Sequence, residues 1–275
     1  MPDASTTESR IRPRIWIGVL LAIVYAAVAG GVANMLTEAF PQTDPAADFA
    51  LGHFPVLIPL VVGGVLFIRW AGWSERVWRT PAAFETTPRR WWMLAIPVLL
   101  LAQAVLILAT MPAERWQFWL VLLIALGTGL VGFGEELYFR GILRASLLER
   151  HGETLALVVT SLAFGAAHSL GSLIGGVPLA LTAFQVAATA FDGMLYYGVF
   201  LATGRLWVPI ALHAITDFSL RVAGGLNAGP SADIDLGPAT AVIEIALGIL
   251  AFLVLISCIR RDLHQRRSGS TLIAS

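Results

Sequence analysis

Two adjacent glutamates, Glu135 and Glu136, lie inside a long apolar stretch of the chain. A charge at membrane depth is costly unless it has a partner, so ionisable residues in such a stretch are functional candidates. Later apolar stretches carry His168, and then His213 with Asp217. Carboxylates and imidazoles are the side chains that most often transfer protons in catalysis. The sequence therefore predicts a polar catalytic centre inside a membrane protein.

Helical spacing predicts different surroundings for the two glutamates. Neighbouring residues on a helix point about 100° apart, so both cannot face the same target. Arg140 follows Glu136 by four residues, which favours an ion pair. We therefore assign Glu136 as the ion-pair partner of Arg140. We assign Glu135 as the general base, with its side chain facing a catalytic cavity. The alternative is that Glu135, Glu136 and Arg140 form a packing network without a catalytic role.

The first histidine is predicted to lie at the height of the glutamates. If Gly152 is the apex of a helical hairpin, with a helix C-cap at His151-Gly152, Glu136 and His168 are equally far from it along the chain. At about 1.5 Å per residue, each lies roughly 24 Å from the turn. On the second histidine's own helix, His213 and Asp217 are four residues apart and share a face, so Asp217 could fix the imidazole tautomer.

These groups fit two chemistries. In the first, Glu135, assisted by His168, takes a proton from water, and His213 with Asp217 stabilises the oxyanion on the attacked carbonyl. In the second, His168, His213 and a carboxylate bind a divalent metal such as zinc, which lowers the pKa of bound water. The usual His-Glu-x-x-His spacing of zinc proteases is missing, and the metal question stays open.

Composition predicts an all-α polytopic membrane protein. The chain of 275 residues is 57% hydrophobic and 13% charged, whereas soluble domains carry about 25% charged residues. Its net charge is zero, which argues against a general affinity for nucleic acid. Apolar runs long enough to cross a bilayer predict eight helices, at about 15–36, 51–69, 91–111, 116–136, 154–171, 177–203, 206–220 and 239–259.

We divide the chain into three N-terminal helices (1–115), a catalytic core (116–220), and an outer loop, last helix and basic tail (221–275). Arginines concentrate in alternate loops and near both ends, which predicts that both termini are cytoplasmic. All 18 basic residues are arginines, a usage typical of GC-rich bacterial genomes, so we expect a bacterial inner-membrane protein. Ala27-Val28-Ala29 resembles a signal-peptide cleavage site, but the first run is long enough to span, and we expect it to be retained.

Three motifs in order resemble those of the CPBP family, which includes the eukaryotic CAAX prenyl endopeptidase and bacterial Abi-type proteins. They are Glu-Glu-x-x-x-Arg (Glu135, Glu136, Arg140), Phe-x-x-x-His (Phe164, His168) and His-x-x-x-Asp (His213, Asp217). The resemblance covers about residues 118–220. It implies an intramembrane endopeptidase of eight helices, with Glu135 as the catalytic glutamate and a membrane-associated protein or peptide as substrate. The eukaryotic enzymes commonly have Asn at the place of Asp217.

Two other classes of function are compatible with these residues. A non-catalytic membrane protein that binds a peptide, as in bacteriocin immunity, would not need Glu135 for its function. A proton-coupled transporter would also use intramembrane carboxylates and histidines, but it predicts an internal repeat or broken helices in both halves. The ionisable residues of the apolar segments lie almost wholly in the second half of the chain.

Overall fold

The computed structural model describes residues 9–109, 117–226 and 237–273. Residues 227–236 of the predicted outer loop lie outside these ranges. Nine helices follow one another in the described residues: α1 (Ile15–Ala39), α2 (Pro45–Ala71), α3 (Ser74–Trp78), α4 (Trp91–Ala109), α5 (Phe118–Leu148), α6 (Glu153–Ile174), α7 (Leu179–Thr203), α8 (Trp207–Gly224) and α9 (Gly237–Ile273).

The all-α polytopic class is confirmed. Within the described ranges, seven helices are long and apolar enough to cross a membrane, namely α1, α2, α4, α5, α6, α7 and most of α9. The remaining predicted span, 206–220, corresponds to α8, an 18-residue helix. It is less apolar because it carries His213, Asp217 and Arg221. Large apolar side chains on the outer helices are exposed, among them Leu66 and Phe252, as expected of a surface that faces lipid.

The centre of the bundle is formed by the C-terminal halves of α5 and α7. Every residue from Leu137 to Leu147 is buried, and so is every residue from Leu195 to Ala202. A helix buried on all sides is apolar all round, yet α5 brings Arg140 and Arg144 into this core. The first helix reaches the same core, since the Tyr25 ring stacks on Tyr138 at 4.7 Å between centroids.

The arginine-rich segments meet at one end of the bundle, as their alternation in the sequence predicts. Arg12, ahead of α1, and Arg76, in α3, both contact Glu149 in the turn between α5 and α6, at 3.2 and 2.7 Å. Arg261 of α9 lies 3.9 Å from Glu153 at the start of α6. We call this end of the molecule the basic end.

The turn between α5 and α6 lies where the sequence predicts it, but Gly152 has another role there. It is the N-cap of α6 in extended conformation, with φ −77°, so the predicted helix C-cap is wrong. The Asp262 carboxylate of α9 accepts hydrogen bonds from the backbone N–H groups of Glu153 and Thr154, at 3.1 and 2.9 Å. A Cβ at Gly152 would lie 2.3 Å from Asp262 Oδ2, so glycine is needed for this carboxylate to satisfy the helix terminus.

Close contact between α5 and α8 depends on Gly132. A Cβ at this position would lie 2.8 Å from the backbone N of Ala214 and 3.0 Å from the carbonyl O of Ile210. Small residues allow membrane helices to approach to backbone contact. Gly132 is three residues before Glu135 and faces the residue after His213, so this contact sets the distance between the carboxylate and the imidazole.

We expect Gly132→Ala to destabilise the protein, because its methyl group would push the backbones of α5 and α8 apart. Gly129→Ala is the matched control: the same helix gains a methyl group where no atom lies within 4 Å. The measurement is the unfolding temperature of each purified variant in detergent, followed by tryptophan fluorescence. Small-to-large changes in a packed site cost about 1–3 kcal/mol, whereas alanine for glycine on an open helix face is neutral or stabilising. Equal unfolding temperatures for the two variants would contradict the packing role of Gly132.

Candidate active site

Three helices bring the predicted ionisable side chains together. Glu135 lies on α5, His168 on α6 and His213 on α8. The Glu135 carboxylate lies between the two imidazoles, with Oε1 at 3.8 Å from His168 Nε2 and Oε2 at 3.5 Å from His213 Nε2. Asp217 Oδ2 is 3.6 Å from the same His213 nitrogen. All four residues assigned to catalysis from the sequence are therefore in one cluster.

Glu136 supports the cluster on its buried side. Its side chain is fully buried, and its Oε1 accepts hydrogen bonds from Arg140 Nη1 at 3.0 Å and from His213 Nδ1 at 2.9 Å. The pairing of Glu136 with Arg140 follows the i,i+4 spacing. The contact with His213 is not predicted by spacing, because it joins residues 77 positions apart.

The hydrogen bonds of the two histidines assign their ring protons. A carboxylate paired with arginine accepts hydrogen bonds, so His213 Nδ1 carries a proton and Nε2 faces Glu135. His168 Nδ1 lies 2.9 Å from the carbonyl O of Phe164, which only accepts, so its Nε2 also faces Glu135. The tautomer of His213 is thus fixed by Glu136, whereas the sequence suggested Asp217, which lies beside Nε2 instead.

The two glutamates differ in access. The Glu136 side chain has no exposed surface, whereas the Glu135 side chain keeps 14%. His168 and Asp217 are more open, with side chains 27% and 32% exposed. The distances from Glu135 to both imidazoles exceed those of hydrogen bonds, so the carboxylate is not locked to either ring. The Glu135 side chain is therefore partly accessible next to His168, whereas its Oε2 atom and the His213 ring are buried.

An aromatic frame fixes the orientation of the imidazoles. The Tyr196 ring of α7 stacks on His213, with centroids 4.5 Å apart and planes 9° apart. The Phe164 ring lies edge-on to both histidines, 4.9 Å from His168 and 5.8 Å from His213. Arg140 lies over the face of Phe164, 4.0 Å from its centroid, which is a cation–π contact. Phe164 thus contacts His168, His213 and Arg140, and Tyr196 is a site residue that sequence reasoning missed.

Several polar atoms around the cluster make no hydrogen bond within the described part of the protein. They are Glu135 Oε2, Glu136 Oε2, Arg140 Nε and Nη2, Tyr25 Oη and Ser161 Oγ. A buried polar group without a partner costs about 1–3 kcal/mol. Such a concentration of them in one place indicates a site that exchanges hydrogen bonds with a polar molecule rather than a closed packing network.

Asp192 of α7 belongs to the surroundings of the site. Its side chain is exposed, and the charged groups closest to it electrostatically are His213, Asp217, His168 and Arg140. Asp192 therefore lies at the open side of the cluster.

The donor atoms do not form an evident metal site. Among the described residues, no group of three or more His, Cys, Asp or Glu side chains has a geometry that could hold a metal ion. His168 and His213, the two residues that the sequence offers as metal ligands, direct their Nε2 atoms to the Glu135 carboxylate.

A second buried network supports the hairpin that carries the site. Arg144 Nη2 donates to Glu153 Oε1 at 2.8 Å, and Tyr197 Oη donates to the same oxygen. Burying the positive charge of Arg144 would be unfavourable without this carboxylate to compensate it. The network connects α5, α6 and α7 next to the turn, and so fixes the register that brings Glu135 level with His168.

We expect Arg140→Met to destabilise the fold strongly, because the buried Glu136 carboxylate then loses its arginine partner and keeps only the hydrogen bond from His213. Breaking a buried ion pair costs about 3–5 kcal/mol. The control is Arg79→Gln, since the Arg79–Glu75 pair has the same i,i+4 spacing but is exposed and 4.0 Å apart. Exposed pairs contribute about 0–1 kcal/mol. The measurement is the free energy of unfolding in detergent with added denaturant, and a loss for Arg140→Met no larger than for Arg79→Gln would overturn the role of the buried pair.

One family model matches the chain. Residues 114–219 match the model described as type II CAAX prenyl endopeptidase Rce1-like, which is in agreement with the resemblance of the three motifs and overlaps the predicted core at 116–220. Neither the search of curated proteins nor the search of solved structures finds a match.

Proposed function

From the premise that residues 114–219 form an Rce1-like domain, of a protease family, we propose that this protein is an intramembrane endopeptidase in which Glu135 activates the attacking water. One observation carries the proposal: a partly accessible carboxylate lies within 4 Å of two imidazole Nε2 atoms, each oriented by a hydrogen bond at its Nδ1. Preoriented groups of this kind lower the barrier to proton transfer.

The first step is the addition of water to the scissile carbonyl. Glu135 takes a proton from a water molecule held between its carboxylate and His168 Nε2, and the water oxygen bonds to the carbonyl carbon. The π electrons of the carbonyl move to its oxygen, which becomes an oxyanion. His213 donates from Nε2 to this oxyanion and keeps the Nδ1 proton on Glu136.

Asp217 acts on His213 rather than on the oxyanion. The carboxylates of Glu135 and Asp217 lie beside His213 Nε2 and that of Glu136 beside Nδ1, and this negative charge suits an imidazolium that can donate from Nε2. The tetrahedral intermediate then collapses as the C–N bond breaks. Glu135 returns its proton to the leaving nitrogen, so the carboxylate is regenerated and the products are a carboxyl and an amine.

The substrate is a protein or peptide that reaches the site from the bilayer. We propose a membrane-associated substrate because Glu135 lies on a helix that crosses the membrane, and because the open side of the cluster is formed by His168, Asp217 and Asp192. We further propose a bacterial inner membrane with the basic end and both termini in the cytoplasm. The gathering of the arginine-rich segments at one end supports this orientation, with α8 counted as the eighth crossing.

We expect Glu135→Gln to lower the cleavage rate by about 10²–10⁴-fold or more, because the amide cannot take the proton, and His168→Ala to act in the same direction. Substrates are first identified by comparing the membrane peptides of cells that produce the wild type or Glu135→Gln. Rates are then measured with purified protein in proteoliposomes. Glu244→Gln is the control, since this membrane carboxylate accepts from Gln103 rather than from the site. Wild-type cleavage by Glu135→Gln would refute the mechanism, and a cellular function that survives the substitution would favour the peptide-binding alternative.

The metal question has its own measurement. We expect cleavage to persist after dialysis against a strong chelator, since the described side chains around Glu135 offer no three-ligand group and the proton transfers proceed through Glu135 and the histidines. Rates are measured in proteoliposomes before dialysis, after dialysis, and after Zn²⁺ is added back. If cleavage were lost and Zn²⁺ restored it, a bound metal rather than Glu135 would be the group that activates the water.

A further inference from the structure

A cavity of about 760 Å³ lies at the basic end, between the segment Thr86–Arg90 and the C-terminal part of α9. Four arginines line it, Arg89 and Arg90 on one side and Arg260 and Arg261 on the other, and no acidic side chain does. The neighbouring cavity of about 590 Å³ is different, because two carboxylates, Glu75 and Glu85, line it together with its three arginines. The lining of the larger cavity therefore carries arginines and no carboxylate, and the acidic side chain nearest to Arg261, Glu153 at 3.9 Å, lies outside the lining.

A buried and hydrogen-bonded arginine forms one wall of the cavity. Arg90 is 9% exposed and donates to Ser257 Oγ at 3.1 Å and to Thr86 Oγ1 at 3.2 Å, so it ties the segment to α9. Burial, and then the positive charge of Arg261, lower the pKa of Arg90 from its ordinary value. The guanidinium has five N–H donors, and these two bonds use only part of them. An anion in the cavity would complete its hydrogen bonding and relieve the repulsion.

The other part of the cavity is apolar and faces lipid. Leu253 and Ile256 line it and are 41% and 43% exposed on α9, and Trp92 lines it from α4. Tryptophan is enriched at the level of lipid headgroups. A ligand of this cavity would thus have its anionic group at the arginines and an apolar part along α9.

We propose that this cavity binds the headgroup of an anionic phospholipid, with its phosphate at Arg89, Arg90, Arg260 and Arg261 and its acyl chains along Leu253 and Ile256. Basic pockets between membrane helices are the usual recognition sites for such headgroups. The free phosphate ion shares the anionic chemistry but not the apolar part, so it does not use the surface of α9. The site is separate from the catalytic cluster and can be tested without a protease substrate.

The test compares two double variants of equal charge. Arg89→Gln with Arg260→Gln removes two exposed arginines of the cavity and leaves the structural Arg90 intact. Arg79→Gln with Arg205→Gln removes two exposed arginines of the neighbouring cavity at the same end. The unfolding temperature without added lipid establishes that both variants are folded. Retention of phosphatidylglycerol and of phosphatidylcholine is then measured by native mass spectrometry over a range of lipid concentrations.

We expect the wild type and the Arg79/Arg205 variant to retain phosphatidylglycerol in preference to phosphatidylcholine. The Arg89/Arg260 variant should bind phosphatidylglycerol about ten- to thirtyfold more weakly, in line with the contribution of each basic residue near a membrane surface. Equal binding of the two lipids by the wild type, or equal phosphatidylglycerol binding by both variants, would overturn the proposal. Displacement of the lipid by millimolar inorganic phosphate would overturn the lipid assignment as well.

Discussion

The site depends on one buried carboxylate that is shared by two partners. Glu136 has no exposed surface, and its Oε1 accepts from Arg140 on its own helix and from His213 on α8. A carboxylate so placed would be very costly in a membrane protein without a cation, and a Glu136–Arg140 pair alone would leave His213 Nδ1 without its acceptor. The shared contact therefore solves a stability problem and an orientation problem with the same atoms. It also explains why the two adjacent glutamates differ: Glu136 is buried against Arg140 and His213, whereas Glu135 stays partly accessible.

Local helix geometry helps to make this arrangement possible. The segment Leu137–Leu143, directly after the glutamates, is a π-helical turn in the middle of α5. Such turns are often found at functional sites, where an inserted residue redirects side chains. Here Arg140 lies inside the turn and is completely buried. The guanidinium thus reaches both Glu136 on the preceding turn and the Phe164 ring on α6, so one side chain couples the glutamates of α5 to the segment that carries His168.

The sequence predicts the parts of the site that follow from spacing along one helix or from symmetry about one turn. The i,i+4 rule identified the partner of Glu136, and equal distances from Gly152 brought His168 to the height of the glutamates. Contacts between distant segments were out of reach, because periodicity does not determine which faces of two helices meet. Tyr196 stacking on His213 and the Glu136–His213 bond are of this kind. The role of Gly152 was misjudged for the same reason: its neighbour, Asp262, is 110 residues further along the chain.

Charge also organises the candidate active site around His213. In the candidate active site, three carboxylates, those of Glu135, Glu136 and Asp217, contact His213. The eukaryotic enzymes that the three motifs resemble commonly have an amide at the position of Asp217. A carboxylate cannot donate to an oxyanion, but beside His213 Nε2 it can stabilise the imidazolium that does. In the proposed mechanism, the oxyanion donor is therefore His213 rather than residue 217. The position of the Glu136 bond, at the opposite nitrogen, leaves Nε2 available for this task.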